Sequence, residues 1–236
     1  MPKILISLAT YNERENLPEL TRQIFLMIPE ADILVVDDSS PDGTADWVRE
    51  RIKSESRLKL LQRPGKMGLG SAILAAMDYA ETGGYDFFIN LDADGSHPPR
   101  FLPAMLNKAK EGFDVVIGSR YVPGGKIRGW SLPRKMMSRT INFYARWVLG
   151  LKTRDNSGSF RCCRVALLRK WDRTAIIAAG YAFLEEMLFR LKKLGAAFAE
   201  IPIEFEERRS GQSKLNIREA LSALLLILLI GTGLRK

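Results

Sequence analysis

Cysteine is scarce in this chain: Cys162 and Cys163 are the only two in 236 residues. Being adjacent, they have neither the spacing of a metal site nor a useful loop to close, which favours a reducing compartment over secretion. Long apolar runs are lacking as well. The first, Ile4 to Ala9, stops at Thr10-Tyr11-Asn12-Glu13, too short for a signal peptide and typical of a buried strand. The last is uncharged from Ala220 to Leu234; as a helix it would reach only ~22 Å against a hydrocarbon core of ~30 Å, so it should not span a bilayer. Glycine fingerprints are incomplete. The loop Arg63-Pro64-Gly65-Lys66-Met67-Gly68-Leu69-Gly70-Ser71 has no Gly-Lys-Ser/Thr run, and Ile73 stands where a dinucleotide fingerprint needs its third glycine, which excludes both standard phosphate loops. Its glycines still let backbone N–H groups approach a phosphate while Lys66 adds charge. The only histidine, His97, is followed by Pro98 and Pro99 and reads as a turn residue rather than a base.

What is present points to one good-sized domain with a short appendage, since 46% apolar content can bury a substantial core at this length. Short apolar runs at Ile4–Ala9, Asp32–Val36, Leu58–Leu61, Phe87–Leu91 and Asp114–Ile117 alternate with helical patterns, the signature of an α/β fold with a mostly parallel sheet covered by helices on both faces. Asn16 is expected to cap the first helix, with Glu19 reaching back to it. Such sheets bind ligands beyond the carboxyl ends of their strands. At one of those ends stand Asp92 and Asp94, just before Gly95-Ser96-His97-Pro98-Pro99. Aspartate also favours turns through its own backbone hydrogen bonds. Two carboxylates there carry a repulsive cost, and a divalent cation holding phosphate oxygens is a common reason to bear it.

The net charge of +9 is concentrated: residues 120–173 hold 14 Lys/Arg against Asp155 and Asp172, a net +12, leaving −3 for the rest. That field calls for an anionic partner, whether nucleic acid, a phosphorylated substrate or an acidic membrane face. On a helical wheel through Pro133–Gly150, Met136, Met137, Ile141, Phe143, Tyr144, Trp147 and Val148 fall between about 180° and 340° from Arg134, and Arg134, Lys135, Arg139 and Arg146 between about 0° and 140°. A basic amphipathic helix of this kind can lie in a lipid headgroup layer, or pack on the sheet with a wet basic face. The C-terminal apolar stretch can dip into one leaflet, pack on that helix or meet a partner's membrane segment.

Read together, Thr10-Tyr11-Asn12-Glu13, Val36-Asp37-Asp38-Ser39-Ser40-Pro41-Asp42-Gly43-Thr44, Asp92-Ala93-Asp94 and Gly118-Ser119-Arg120-Tyr121 resemble the family 2 inverting glycosyltransferases of the GT-A fold. Asp155-Asn156-Ser157-Gly158-Ser159-Phe160-Arg161, Gly180-Tyr181-Ala182-Phe183-Leu184-Glu185-Glu186 and Arg208-Arg209-Ser210-Gly211-Gln212-Ser213-Lys214 narrow the likeness to the dolichol-phosphate (polyprenol-phosphate) mannose synthases. The resemblance implies a GT-A catalytic domain over 1–215, an interface helix at about 131–150, and an apolar helix over 216–236 associated with a membrane or partner. It implies inverting transfer of mannose from GDP-mannose to dolichyl or polyprenyl phosphate, giving a β-linked product.

By the same resemblance the nucleotide sugar is held by Ala9, Tyr11, Glu13, Asp37, Asp38, Lys66, Asp92, Arg208 and Lys214. Asp92 and Asp94 bind Mg or Mn bridging the diphosphate, Asp94 and Arg120 are catalytic, and Arg120, Arg134, Ser138 and Arg139 receive the acceptor phosphate. Relatives often have Gln two positions past the second aspartate, where this chain has Ser96. The expected setting is peripheral, at the cytoplasmic face of a membrane, without nucleic acid and with room for a membrane-anchoring partner subunit.

No dedicated base is required, because a phosphate monoester with its second pKa near 6 is already largely dianionic at neutral pH. The residue chemistry does not separate mannose from glucose or GDP from UDP. Transfer to a glycan hydroxyl would need a general base that the sequence does not plainly offer. A basic nucleic-acid-binding module would leave the strand-end aspartates unexplained.

Overall fold

Apolar runs bounded by polar loops become the central sheet of the computed structural model, which describes residues 1–174, 176, 178, 180, 182–207 and 217–232, with side chains in the last segment from 224. Strands β1 (Ile4–Thr10), β2 (Asp32–Asp37), β3 (Leu58–Gln62), β4 (Phe87–Asp92) and β5 (Val115–Ser119) correspond to the five runs read from sequence. Four further strands were not read there: β6 (Lys126–Ile127), β7 (Arg161–Arg164), β8 (Phe198–Pro202) and β9 (Glu204–Phe205). The main sheet runs β3-β2-β1-β4-β7-β5-β8, and β6 pairs with β9 apart from it. All main-sheet pairings are parallel except those of β7, which lies antiparallel between β4 and β5.

That reversal positions the site. Because β7 runs backwards, its first residue, Arg161, sits beside Asn90 of β4 and Ile117 of β5. The segment leading into β7 therefore passes over the carboxyl ends of both strands, where a parallel sheet presents its ligand-binding loops.

Side chains alternate across the sheet. Ile4, Ile6 and Leu8 enter one apolar cluster with Leu17, Leu20 and Ile24 of α1 (Leu17–Met27) and Leu102, Met105 and Leu106 of α4 (Leu102–Lys110), while Leu5 enters the other, as a two-residue period requires. The second cluster takes in Ala72, Ile73 and Met77 of α3 (Leu69–Thr82) and Phe183, Met187 and Leu188 of α7 (Phe183–Lys193). A Cβ on Gly70 would stand 2.8 Å from Phe183 Cγ, so a side chain there would push α3 away from α7. The remaining α-helices among the described residues are α2 (Thr44–Ile52), α5 (Leu132–Val148), α6 (Val165–Leu168) and α8 (Ile217–Thr232). Ile227 and Ile230 of α8 join the second cluster, and no helix among the described residues is long and apolar enough to cross a membrane.

One local expectation is corrected. Asn16 makes no capping hydrogen bond; its own N–H already donates to Glu13 O, which leaves Glu19 nothing to reach back for, and Glu19 binds Arg22 and Gln23 instead. The apolar wheel of α5 divides. Ile141 is buried and Tyr144 and Val148 pack on the core, while Leu132, Met136, Phe143 and Trp147 stand 70, 60, 71 and 76% exposed. Its buried face carries Ser138 and Asn142 as well as Ile141 and Ala145.

Candidate active site

At the carboxyl ends of β1, β2 and β4 an open cavity of about 220 Å³ is lined by Ala9, Tyr11, Glu13, Asp38, Lys66, Asp92 and Asp94. Seven residues singled out from sequence thus meet in one place. Lys66 Nζ lies 4.4 Å from the centre of the Tyr11 ring, a cation over an aromatic face. Asn12 and Ser39, in the loops after β1 and β2, adopt left-handed backbone with φ of 64° and 53°, a conformation of non-glycine residues that gathers at functional sites.

The paired acids at the end of β2 are already committed to structure. Asp38 accepts from Arg63 Nε at 2.6 Å and from the Met67 N–H at 3.0 Å, tying the loop before α3 to the rim of the cavity. Asp37 is fully buried and accepts from Thr10 Oγ1, the Ser40 N–H and Ser40 Oγ at 3.0, 3.0 and 2.5 Å. It braces the ends of β1 and β2 and does not line the cavity.

Asp92 closes β4 with its side chain about one-third exposed, and its Oδ1 accepts from Ser159 Oγ at 2.6 Å. Asp94 Oδ1 accepts from the Ser96 N–H at 3.0 Å. His97 is buried between the Phe160 and Phe205 rings, each 5.2 Å away, and its Nδ1 accepts from the Asp92 N–H at 3.2 Å. Burial lowers its pKa despite the neighbouring aspartates, so the imidazole is a neutral brace for the turn.

Among the described residues, no group of three or more His, Cys, Asp or Glu side chains is arranged to hold a metal. Two carboxylates on an open cavity still fit a hard cation that keeps waters and takes phosphate oxygens to complete its shell. The Ser96 hydroxyl is buried and makes no hydrogen bond among the described residues.

Facing this centre is Arg120, at the end of β5. Its Nε and Nη2 meet Asp155 Oδ2 and Oδ1 at 2.7 and 2.6 Å, and its N–H also donates to Asp155 Oδ2 at 2.9 Å. Nη2 reaches Ser157 Oγ at 3.0 Å. Trp130 and Phe205 each lie 5.4 Å from the guanidinium carbon. Burial alone would weaken the guanidinium's hold on its proton, but Asp155 outweighs this and raises its pKa. Burial likewise opposes ionisation of Asp155, and Arg120 outweighs it, holding the carboxyl below its ordinary value. Arg120 is therefore a cation already paired within the chain.

One short stretch spans both centres. Asp155 and Ser157 hold Arg120, and Ser159 holds Asp92. Arg161 grips this strap from below, donating Nη2 to Asn156 O at 2.6 Å and Nη1 to Leu184 O at 2.7 Å. Asp155 and Ser159 belong to the motif Asp155–Arg161, to which the resemblance assigns no role. The available signal was that Asp155 is one of only two acids among 14 bases in 120–173.

The other basic positions are spread around this centre. Arg134 lies 4.2 Å from the Trp130 ring centre and pairs with Glu207 at 3.0 Å. Ser138 accepts from Tyr121 OH at 2.7 Å, which brings it beside Arg120. Arg139 is exposed, with its charge felt at Tyr121. Arg208 and Lys214 lie outside the described residues. Cys162 and Cys163 are buried and free; burial pushes the Cys163 thiol up to about 12, which leaves it inert.

The chain is similar to known proteins. Residues 6–172 match the model of glycosyl transferase family 2. The chain is 42% identical over 214 residues to the undecaprenyl-phosphate mannosyltransferase of Micrococcus luteus, covering 91% of this chain and 88% of that one. It is 41% identical over 223 residues to the polyprenol monophosphomannose synthase of Mycolicibacterium smegmatis, covering 93% and 84%. Glucosyl-3-phosphoglycerate synthase of Mycobacterium tuberculosis, solved with Mn2+, UDP and glucosyl-3-phosphoglycerate, superposes with a TM-score of 0.68 at 18% identity, over 100% of this chain and 81% of that one. At that identity the likeness speaks for the GT-A fold alone. The chain belongs to glycosyl transferase family 2 and is a glycosyltransferase.

Proposed function

We propose that this enzyme transfers mannose from GDP-mannose to dolichyl or polyprenyl phosphate with inversion, giving a β-linked lipid-phosphate sugar. The observation that carries the reading is the 155–159 strap, which joins a carboxylate of the cavity to a buried guanidinium. The relatives of Micrococcus luteus and Mycolicibacterium smegmatis, named for polyprenyl-phosphate substrates and mannose, support it.

Ala9, Tyr11, Glu13 and Lys66 receive the nucleotide in the cavity between β1 and α3. Asp92 and Asp94 hold Mg or Mn, which when bound supplies Lewis-acid stabilisation of the departing diphosphate. Arg120, Arg134 and Ser138, with Arg139 at the rim, align the acceptor phosphate. One of its oxygens bonds to the anomeric carbon while the bond to the nucleoside diphosphate breaks, and that electron pair leaves with the diphosphate. No proton has to move, which suits a site whose one histidine is neutral and occupied. The burden falls on alignment and on electrostatics in a partly dry pocket.

The lipid reaches the site at a membrane surface, at the cytoplasmic face. The exposed stripe of Leu132, Met136, Phe143 and Trp147 enters the headgroup layer with Lys135, Arg139 and Arg146 beside it, an arrangement that draws an apolar helix face to anionic lipid. Leu225 and Leu228 of α8 are exposed as well. Residues 1–215 form the catalytic unit, and 216–236 add a surface for lipid or for an anchoring subunit.

The test is a radiolabelled transfer assay in which one polyprenyl phosphate is offered GDP-mannose, UDP-glucose and GDP-glucose with Mg2+ or Mn2+. Lipid-linked label from GDP-mannose alone is expected. Label from UDP-glucose instead moves the donor, and no lipid-linked label from any of them removes the acceptor.

A further inference from the structure

We propose that Asn142 of α5 is a positioning residue for this transfer, acting through Ser157 and Asp155 on Arg120; the inference rests on the reading just given. An asparagine amide has two donors and two acceptor positions, and all four are used here. Its Oδ1 accepts from the N–H groups of Asn156 and Ser157 at 2.6 and 3.2 Å, and its Nδ2 donates to Ser157 Oγ at 2.9 Å and to Ser138 O at 2.8 Å. The residue is 3% exposed, so each of these bonds stands in place of water and none is idle.

The consequence is geometric. Ser157 Oγ takes a hydrogen from Asn142 and another from Arg120 Nη2, so the amide fixes the hydroxyl that in turn fixes the guanidinium. The backbone it holds, Asn156 and Ser157, lies between Asp155, which clamps Arg120, and Ser159, which bonds Asp92. Asn142 therefore sets the separation between the carboxylate centre and the cationic centre while touching neither. Its neighbour on the same helix, Ser138, accepts from Tyr121 OH, so α5 grips this side of the site twice. A displacement of about 1 Å at a reacting centre can cost ~100-fold in rate, and that is the scale expected here.

Positioning and bulk stability are separated by what moves. Full-length Asn142→Leu should lower kcat for mannose transfer by about 100-fold, while affinity for GDP in the presence of Mn2+, read by calorimetry, stays within about twofold, because the cavity that takes the nucleotide makes no bond to Asn142. Asn142→Asp keeps both accepted backbone bonds and loses the donations to Ser157 Oγ and Ser138 O, so it should fall between wild type and leucine. Ser157→Ala should lose kcat in the same sense without changing α5, and it carries the test where the leucine variant does not fold. Unchanged kcat in Asn142→Leu, or in Ser157→Ala where the leucine chain is unfolded, overturns the inference, as does a parallel loss of GDP affinity. A wild-type enzyme that labels no lipid phosphate overturns the proposed function, and this inference with it; active wild type with an equally active leucine variant overturns the inference alone.

Discussion

Asp155→Asn removes one partner of a fully buried ion pair and leaves the other in place. The wild-type carboxylate receives three hydrogen bonds from Arg120, from N–H, Nε and Nη2. An asparagine can keep its oxygen toward the first two, but its amide then points hydrogens at Nη2, donor against donor. The guanidinium, 7% exposed, stays charged with no counter-charge in contact. Breaking a buried pair on one side costs about 3–5 kcal/mol, and at this chain length each kcal/mol moves Tm by ~2–4 °C, so a fall of roughly 6–20 °C is expected by calorimetry at pH 7.

The gap has a pH signature. A carboxyl held below its ordinary value of 3.8 contributes stability that is full above the unfolded value and lost as pH falls through the lower folded value. The difference between wild type and variant should be flat from pH 8 to about 5 and narrow below about 4. The double variant Asp155→Asn with Arg120→Met removes the stranded charge while keeping an acceptor for the residue 120 N–H, and should recover at least half of the lost stability. An Asp155→Asn chain that melts within about 2 °C of wild type, or a double variant whose losses simply add, would refute the pairing argument.

Asp94→Asn should cut transfer by ~100-fold or more, since about 3 kcal/mol of metal-supplied stabilisation is forfeited, with Tm nearly unchanged; full turnover in the purified variant would remove Asp94 from the metal. Glu185 is buried and its carboxyl is pushed up to about 7, chiefly by desolvation with Arg161 pulling the other way. A native acid that binds its proton more tightly than the unfolded chain loses stability as pH rises from about 4.5 to about 7, so Glu185→Gln should raise Tm at pH 8 and leave it nearly unchanged at pH 5, and equal effects at both would contradict it. Phe143→Ser with Trp147→Ser should weaken binding to anionic vesicles by ~100-fold, the equivalent of about 3 kcal/mol of apolar burial, while transfer to a short, detergent-soluble isoprenyl phosphate persists; undiminished vesicle binding would take α5 off the membrane.

The first half of the site was legible because its information is local. Each of β1, β2, β3 and β4 is an apolar run whose next residues are polar, and a parallel sheet brings such loops to one edge whatever its helices do. Tyr11, Glu13, Asp38, Lys66, Asp92 and Asp94 meet for that reason. The second half depends on pairings no window contains. β7 reads Arg161-Cys162-Cys163-Arg164, with no alternation to mark a strand, and is recognisable only once β4 and β5 flank it. Arg161 is 2% exposed, against every expectation for its type, and is tolerated because carbonyls of Asn156 and Leu184 receive it.

α5 inverts the usual pattern in the same way, with Ser138 and Asn142 inside and Phe143 and Trp147 outside. A wheel weighs apolarity and so does not mark the packed face, whereas the polar residues are drawn inward by a strap that has backbone groups to satisfy. The two departures have one cause. Reversing β7 puts residues 155–159 across the sheet edge, that backbone needs partners, and Asn142 and Arg161 supply them while Arg120 takes the side chains of Asp155 and Ser157; the rule-breaking residues are the ones that join the legible half of the site to the half a sequence cannot display.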